Sequence, residues 1–274
     1  KRECIMNLKL LHIFLLSTAG TFLLCTPFIN TVELANGLVT GKMCWFHLAM
    51  LFFSVCVFFV MLTKKGTVIA FTFSDPLVLF FAGGVLITYK WNLNPEPEKL
   101  IFAGQLVILW FLLRYVLTAY REFKFFFLFV LMFTGLIEAV WGMQQLHGYS
   151  HSNHSLFRLT GSFFNPGPYS GYIAVILPVC LWTALRFQKG MHYFAWICVG
   201  AILIVLPAGM SRSAWIAAVV ACGWVYWTER IGWEKTKAVY RRYKNATIPF
   251  VAIVAILAGC AIAGGYGMKR DSAD

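Results

Sequence analysis

The sequence predicts an all-α polytopic membrane protein with about nine transmembrane helices, and three observations carry that prediction. Of 274 residues, 60% are apolar and only 12% are charged, a composition outside that of soluble domains. Apolar runs long enough to span a bilayer follow one another, separated by short polar breaks. Basic residues gather in every second break, the pattern left by orientation in a membrane.

The first apolar run, Leu10 to Ile29, is too long for a signal-peptide core and lacks a convincing cleavage site, so it is expected as a retained span. The first methionine is Met6. Spans follow near Cys44 to Leu62, Thr67 to Tyr89, Leu100 to Tyr120 and Phe123 to Met143. The later ones lie near Tyr169 to Phe187, His192 to Pro207, Ser213 to Thr228 and Ala246 to Tyr266. Asp75 and Pro76 make the third either a kinked helix or a shorter one that starts after the proline. The chain reads as one transmembrane domain over 1–274, with an external loop at about 144–168 and the start of a larger external segment at about 267–274. The tail GYGMKRDSAD has no terminating feature and reads as a cut at the mouth of that segment. No internal repeat, Pro-rich linker or low-complexity tract interrupts the series.

Fifteen Lys and Arg residues occupy the N-terminus and alternate loops, among them Lys9, Lys64, Arg121, Arg186 and Arg241, and seven occupy the others. Arg114 is left inside a span. The positive-inside rule then puts the N-terminus in the cytoplasm, and nine crossings put the C-terminus on the far side. A net charge of +12 could suggest nucleic acid, but these cations form neither a face nor a tail, so no nucleic acid is expected as a partner. The eight cysteines fall mostly inside apolar runs and read as small buried side chains. Trp and Tyr near span ends, as at Tyr89, Trp91, Tyr226 and Trp227, fit interfacial anchoring.

The loop after the fifth span is where chemistry could sit. Gly161, Asn165, Pro166, Gly167, Pro168 and Gly171 fall within eleven positions, a density that breaks helix and lets backbone N–H groups face a ligand. Two readings stand: a re-entrant turn that joins two helices, or a substrate-shaping loop. His147, His151 and His154 have metal-compatible spacings, but no acidic or Cys partner stands beside them, which favours a solvated loop. In AGMSRSAW, Arg212 sits among small residues at the external end of the eighth span. It is a snorkelling anchor, half of an ion pair with Glu138 or Glu33, or a functional cation. Arg114 and Glu138, each inside a span, are equally open.

The order RLTGSFFNPGPYSGYIAVILP, one further span, SRSAW opening the next, a basic loop, another span and an external KRDSAD resembles the O-antigen ligase and O-antigen polymerase superfamily. The likeness covers Arg158 to Asp274, and the first five spans match only as hydrophobic segments. Gly167 stands where the family often has Asn, and Ser213 where it often has Gly.

The resemblance implies a metal-independent, cofactor-free glycosyltransferase of the bacterial inner membrane, working in lipopolysaccharide assembly. Its donor is a polyprenyl-diphosphate-linked glycan and its acceptor lipid A core or a related molecule on the periplasmic face, with membrane lipids around it. Breaking a glycosyl-diphosphate bond develops negative charge that a guanidinium binds bidentately, which makes Arg212 the implied catalytic residue. Arg158, Gly161, Ser162, Asn165 and Ser211 are the implied substrate-binding residues. The base that takes the acceptor's proton is, in this family, a His of the large external segment, and is expected beyond residue 274. No D-x-D pair stands in an external loop. A polymerase of the same superfamily is the close variant. A transporter or flippase-like carrier is the rival, although only one broken helix, near Pro166, is visible where carriers often have two in related halves. An inactive scaffold is the third reading.

Overall fold

The computed structural model describes residues 2–31, 36–64, 66–69, 71–92 and 96–229. The ninth span, Glu33, Lys65, the basic stretch from Arg230 and the 267–274 tail lie outside the described residues. Eight α-helices follow in order: α1 (Arg2–Leu24), α2 (Gly37–Thr63), α3 (Ser74–Trp91), α4 (Pro97–Ala119), α5 (Phe123–Leu146), α6 (Pro166–Arg186), α7 (Gly190–Val205) and α8 (Arg212–Glu229). Single 3-10 turns stand at Thr26–Phe28 and Pro207–Gly209, and the described residues contain no strand. Each of the first eight predicted runs therefore becomes a helix. Five of them, α1 (from Met6), α2, α4, α5 and α6, are long and apolar enough to cross a membrane. The chain is a helical, multi-pass membrane protein.

Its surface has the polarity that lipid demands. Phe58, Leu62, Phe80, Val175, Val219 and Trp224 are all more than 60% exposed, where water would leave a soluble protein aggregating. Helix starts follow backbone chemistry: Pro97 and Pro166 open α4 and α6, where a missing N–H costs nothing. The third run begins later than expected, at Ser74, but ahead of the proline rather than after it, with Pro76 accommodated in the first turn.

The chain divides into two compact units. The first comprises residues 1–26 and 41–127. Leu16, Ala19, Phe53, Val57, Val60, Val116 and Phe123 form its main core, and Leu23, Phe46, Ala49 and Met50 a second cluster. α3 is a largely exposed helix, and of its residues only Asp75 is buried. That carboxylate accepts the Thr72 N–H (2.7 Å), just ahead of the helix, and the Trp110 Nε1–H (3.0 Å), and pairs with the Arg114 guanidinium. The sequence marked Asp75 only as a possible kink and Arg114 only as an unexplained charge. They are partners, which is how charges inside a membrane domain are tolerated.

The second unit comprises residues 27–40 and 128–274. α6 packs on α7 and α8 through small buried residues: Ala174 and Ala184, Ala195, Gly200 and Ala201, Ala214 and Ala218. Small side chains let backbones approach where lipid offers no hydrophobic drive. α7 has 16 residues, about 24 Å of helix, shorter than a bilayer core. The Pro207–Gly209 3-10 turn follows it, and its buried backbone groups need partners. Leu206, Ala208 and Gly209 are buried accordingly. The Trp215 Nε1–H donates to Leu206 O (2.9 Å) and the Ser170 hydroxyl to Gly209 O (3.0 Å).

Candidate functional site

The loop between α5 and α6 is built from α5 upward. Thr134, Glu138 and Gln145 are buried polar residues in an otherwise apolar helix, at spacings that put them on one face. Their partners run in the opposite order. Tyr172 donates its hydroxyl proton to Thr134 Oγ1 (2.8 Å) and Tyr169 to the Glu138 carbonyl (3.1 Å). The Glu138 carboxylate, fully buried, accepts the Ser162 N–H (3.0 Å).

Gln145 clamps the loop directly. Its Oε1 accepts the N–H groups of Thr160 (2.9 Å) and Gly161 (2.7 Å), while Nε2 donates to His151 O (3.0 Å) and Gly161 O (3.1 Å). One side chain thus satisfies backbone groups that no helix or strand would pair. Asn153 adds a second clamp, its Nδ2 donating to Gly161 O (3.2 Å) and Phe163 O (3.1 Å). Gly161 has φ +55°, and a Cβ there would overlap the Glu138 carboxylate and the Tyr169 ring.

Each residue expected at the site has a definite place. Gly161 is the buried turn, and Ser162 is buried with its hydroxyl donated to Pro27 O (2.6 Å). Asn165 caps α6, its Oδ1 accepting the Gly167 N–H (3.0 Å). Ser211 does the same for α8, its Oγ accepting the Ala214 N–H (3.4 Å). Arg158 lies exposed in the loop, and Arg212 is the exposed first residue of α8. Arg158 belongs to the clamped loop that leads into the N-terminus of α6, and Arg212 lies toward the same end, because Gly209, three residues before it, is bonded to Ser170 in the second turn of α6. Four of the six residues are thus framework, and two are exposed cations.

Arg212 makes no ion pair with Glu138, and its side chain has no hydrogen bond among the described residues. His154 accepts the Leu156 N–H at Nδ1 (3.0 Å) and stacks near Phe157 and Phe164, whereas His147 and His151 are exposed. Among the described residues no three His, Cys, Asp or Glu side chains converge as a metal site would require. Sequence reasoning left Glu138 open and passed over Gln145, Tyr169 and Ser170. The available signal was a Glu and a Gln seven residues apart in the apolar helix that leads into the loop.

No protein-family model, curated protein or solved structure matches the chain.

Proposed function

We propose that this chain is part of an inner-membrane glycosyltransferase of the O-antigen ligase type, which transfers a polyprenyl-diphosphate-linked glycan to lipid A core or a related acceptor on the periplasmic face. The proposal includes nine crossings with a cytoplasmic N-terminus. The observation that carries it is the pairing of a rigidly clamped loop bearing Arg158 with a helix that starts at an exposed, acid-free Arg212, both at the same end of α6. In the reaction an acceptor hydroxyl attacks the anomeric carbon, the carbon–oxygen bond to the diphosphate breaks, and the hydroxyl proton passes to a base. Charge builds on the departing diphosphate, where a planar guanidinium at a helix N-terminus stabilises it more than it stabilises the bound donor.

The test is substitution of Arg212 in the full-length protein, with glycan transfer and membrane abundance measured together. Arg212→Ala should lower transfer by about two to three orders of magnitude, and Arg212→Lys, which keeps charge but not the planar fork, should lose most of it. Near-normal transfer by Arg212→Lys at normal abundance would overturn diphosphate recognition, because an interfacial anchor works equally well as lysine.

A further inference from the structure

A cavity of about 470 Å³ opens in the first unit where α1 begins and α2 and α4 end, lined by Leu8, Lys9, His12, Thr63, Lys64, Ala119, Tyr120 and Glu122. Its floor is a hydrogen-bonded chain. His12 bridges the two sides, its Nε2 2.8 Å from Thr63 Oγ1 and its Nδ1 2.5 Å from the Tyr120 hydroxyl, and the Thr63 hydroxyl also lies 2.8 Å from Phe59 O. Imidazole and phenol are both committed below the cavity, which fixes the Tyr120 ring.

On that ring stands Lys64, its Nζ 3.8 Å from the ring centroid and donating to the Ala119 carbonyl. An ammonium has three N–H donors, and among the described residues Lys64 has no carboxylate partner. Burial, and then the neighbouring Lys9, lower its pKa against the opposing pull of Glu122, the condition of a cation that gains from an added anion. Lys9 supplies the second ammonium at the rim. Among the described residues it is held by Glu122 alone, at 3.1 Å, with both side chains more than half exposed, a solvent-screened pair that opens easily.

We propose that this cavity binds the phosphate headgroup of an anionic membrane lipid, gripped by Lys64 and Lys9. A lipid rather than a free phosphate is the occupant because the cavity sits at the ends of three membrane helices. Leu11, Phe59 and Leu62, all exposed, flank His12 and Thr63 in sequence and offer acyl chains an apolar wall continuous with the bilayer.

The test is native mass spectrometry of the full chain titrated with dioleoyl-phosphatidylglycerol or dioleoyl-phosphatidylcholine. The wild type should retain the anionic lipid preferentially. Lys64→Gln and Lys9→Gln should each weaken that retention about fivefold, while Lys189→Gln, which removes a cation elsewhere, leaves it unchanged. Glu122→Gln frees Lys9 and removes the competing carboxylate, so it should tighten binding, a gain that misfolding cannot imitate. Unchanged retention in the Lys9→Gln, Lys64→Gln double variant overturns the site. Displacement of the lipid by millimolar inorganic phosphate overturns the assignment to a lipid.

Discussion

Gly161 occupies a left-handed backbone position with no room for a side chain. Alanine there must adopt a φ that costs about 1 kcal/mol and displace a buried carboxylate or ring at about 1–3 kcal/mol more. Gly161→Ala should therefore destabilise the protein by about 2–4 kcal/mol, measured as a lowered unfolding midpoint in detergent, with Gly148→Ala as comparison. Gly148 also has positive φ but nothing within 4 Å, so it should lose only the backbone share. The density of glycine and proline around Gly161 was legible in the sequence, whereas the helix start was expected near Tyr169 and in fact comes at Pro166, capped by Asn165. What was not legible is why Gly161 must be glycine. The obstacle is Glu138, a residue on another element, and neither periodicity nor propensity says what faces a turn across space.

At the scale of elements, α5 is both a lipid-facing helix and the template for the loop that follows it. Its polar face meets the loop and α6 in antiparallel order, Thr134 with Tyr172, Glu138 with Tyr169 and Ser162, Gln145 with Thr160 and Gly161. Replacing Gln145 by methionine keeps the apolar volume and removes four backbone partners. Gln145→Met should raise amide exchange across 150–163 by one to two orders of magnitude, about 1–3 kcal/mol of local stability, while α5 itself keeps wild-type protection. Uniform loosening of α5 would show that Gln145 supports the helix rather than the loop. The order and type of the described helices were readable because each apolar run exceeds a helix's needs and each break carries charge or proline. Boundaries shifted where chemistry is local: α3 waits for Ser74 because Asp75 folds back to Thr72, and α7 stops at Val205 before the Pro207 turn. That buried turn could not be foreseen, since its cover comes from Ser170 and Trp215.

For the whole molecule, orientation rests on charge alone, with fifteen basic residues at the N-terminus and in one set of loops and seven in the other. The proposed topology is checked by single-cysteine labelling in a background without native cysteines. A cysteine at Ser152 should react with an impermeant maleimide in intact cells, and one at Thr236 only after permeabilisation. The opposite pattern would invert every assignment of face. The pair of buried Asp75 and half-buried Arg114 also has a consequence for how the chain is made. Either charge alone resists entry into lipid, by about 2.5–3.5 kcal/mol at a helix centre and by less toward the helix ends where these two lie, and α3 finishes synthesis before Arg114 exists. Leaving the translocation channel one helix at a time would strand first the acid and then the base in hydrocarbon. Under the proposed nine-crossing topology, departing together as a hairpin neutralised across its two arms would spare the bilayer that charge, and α3 and α4, which already pack on each other, would enter it as one unit.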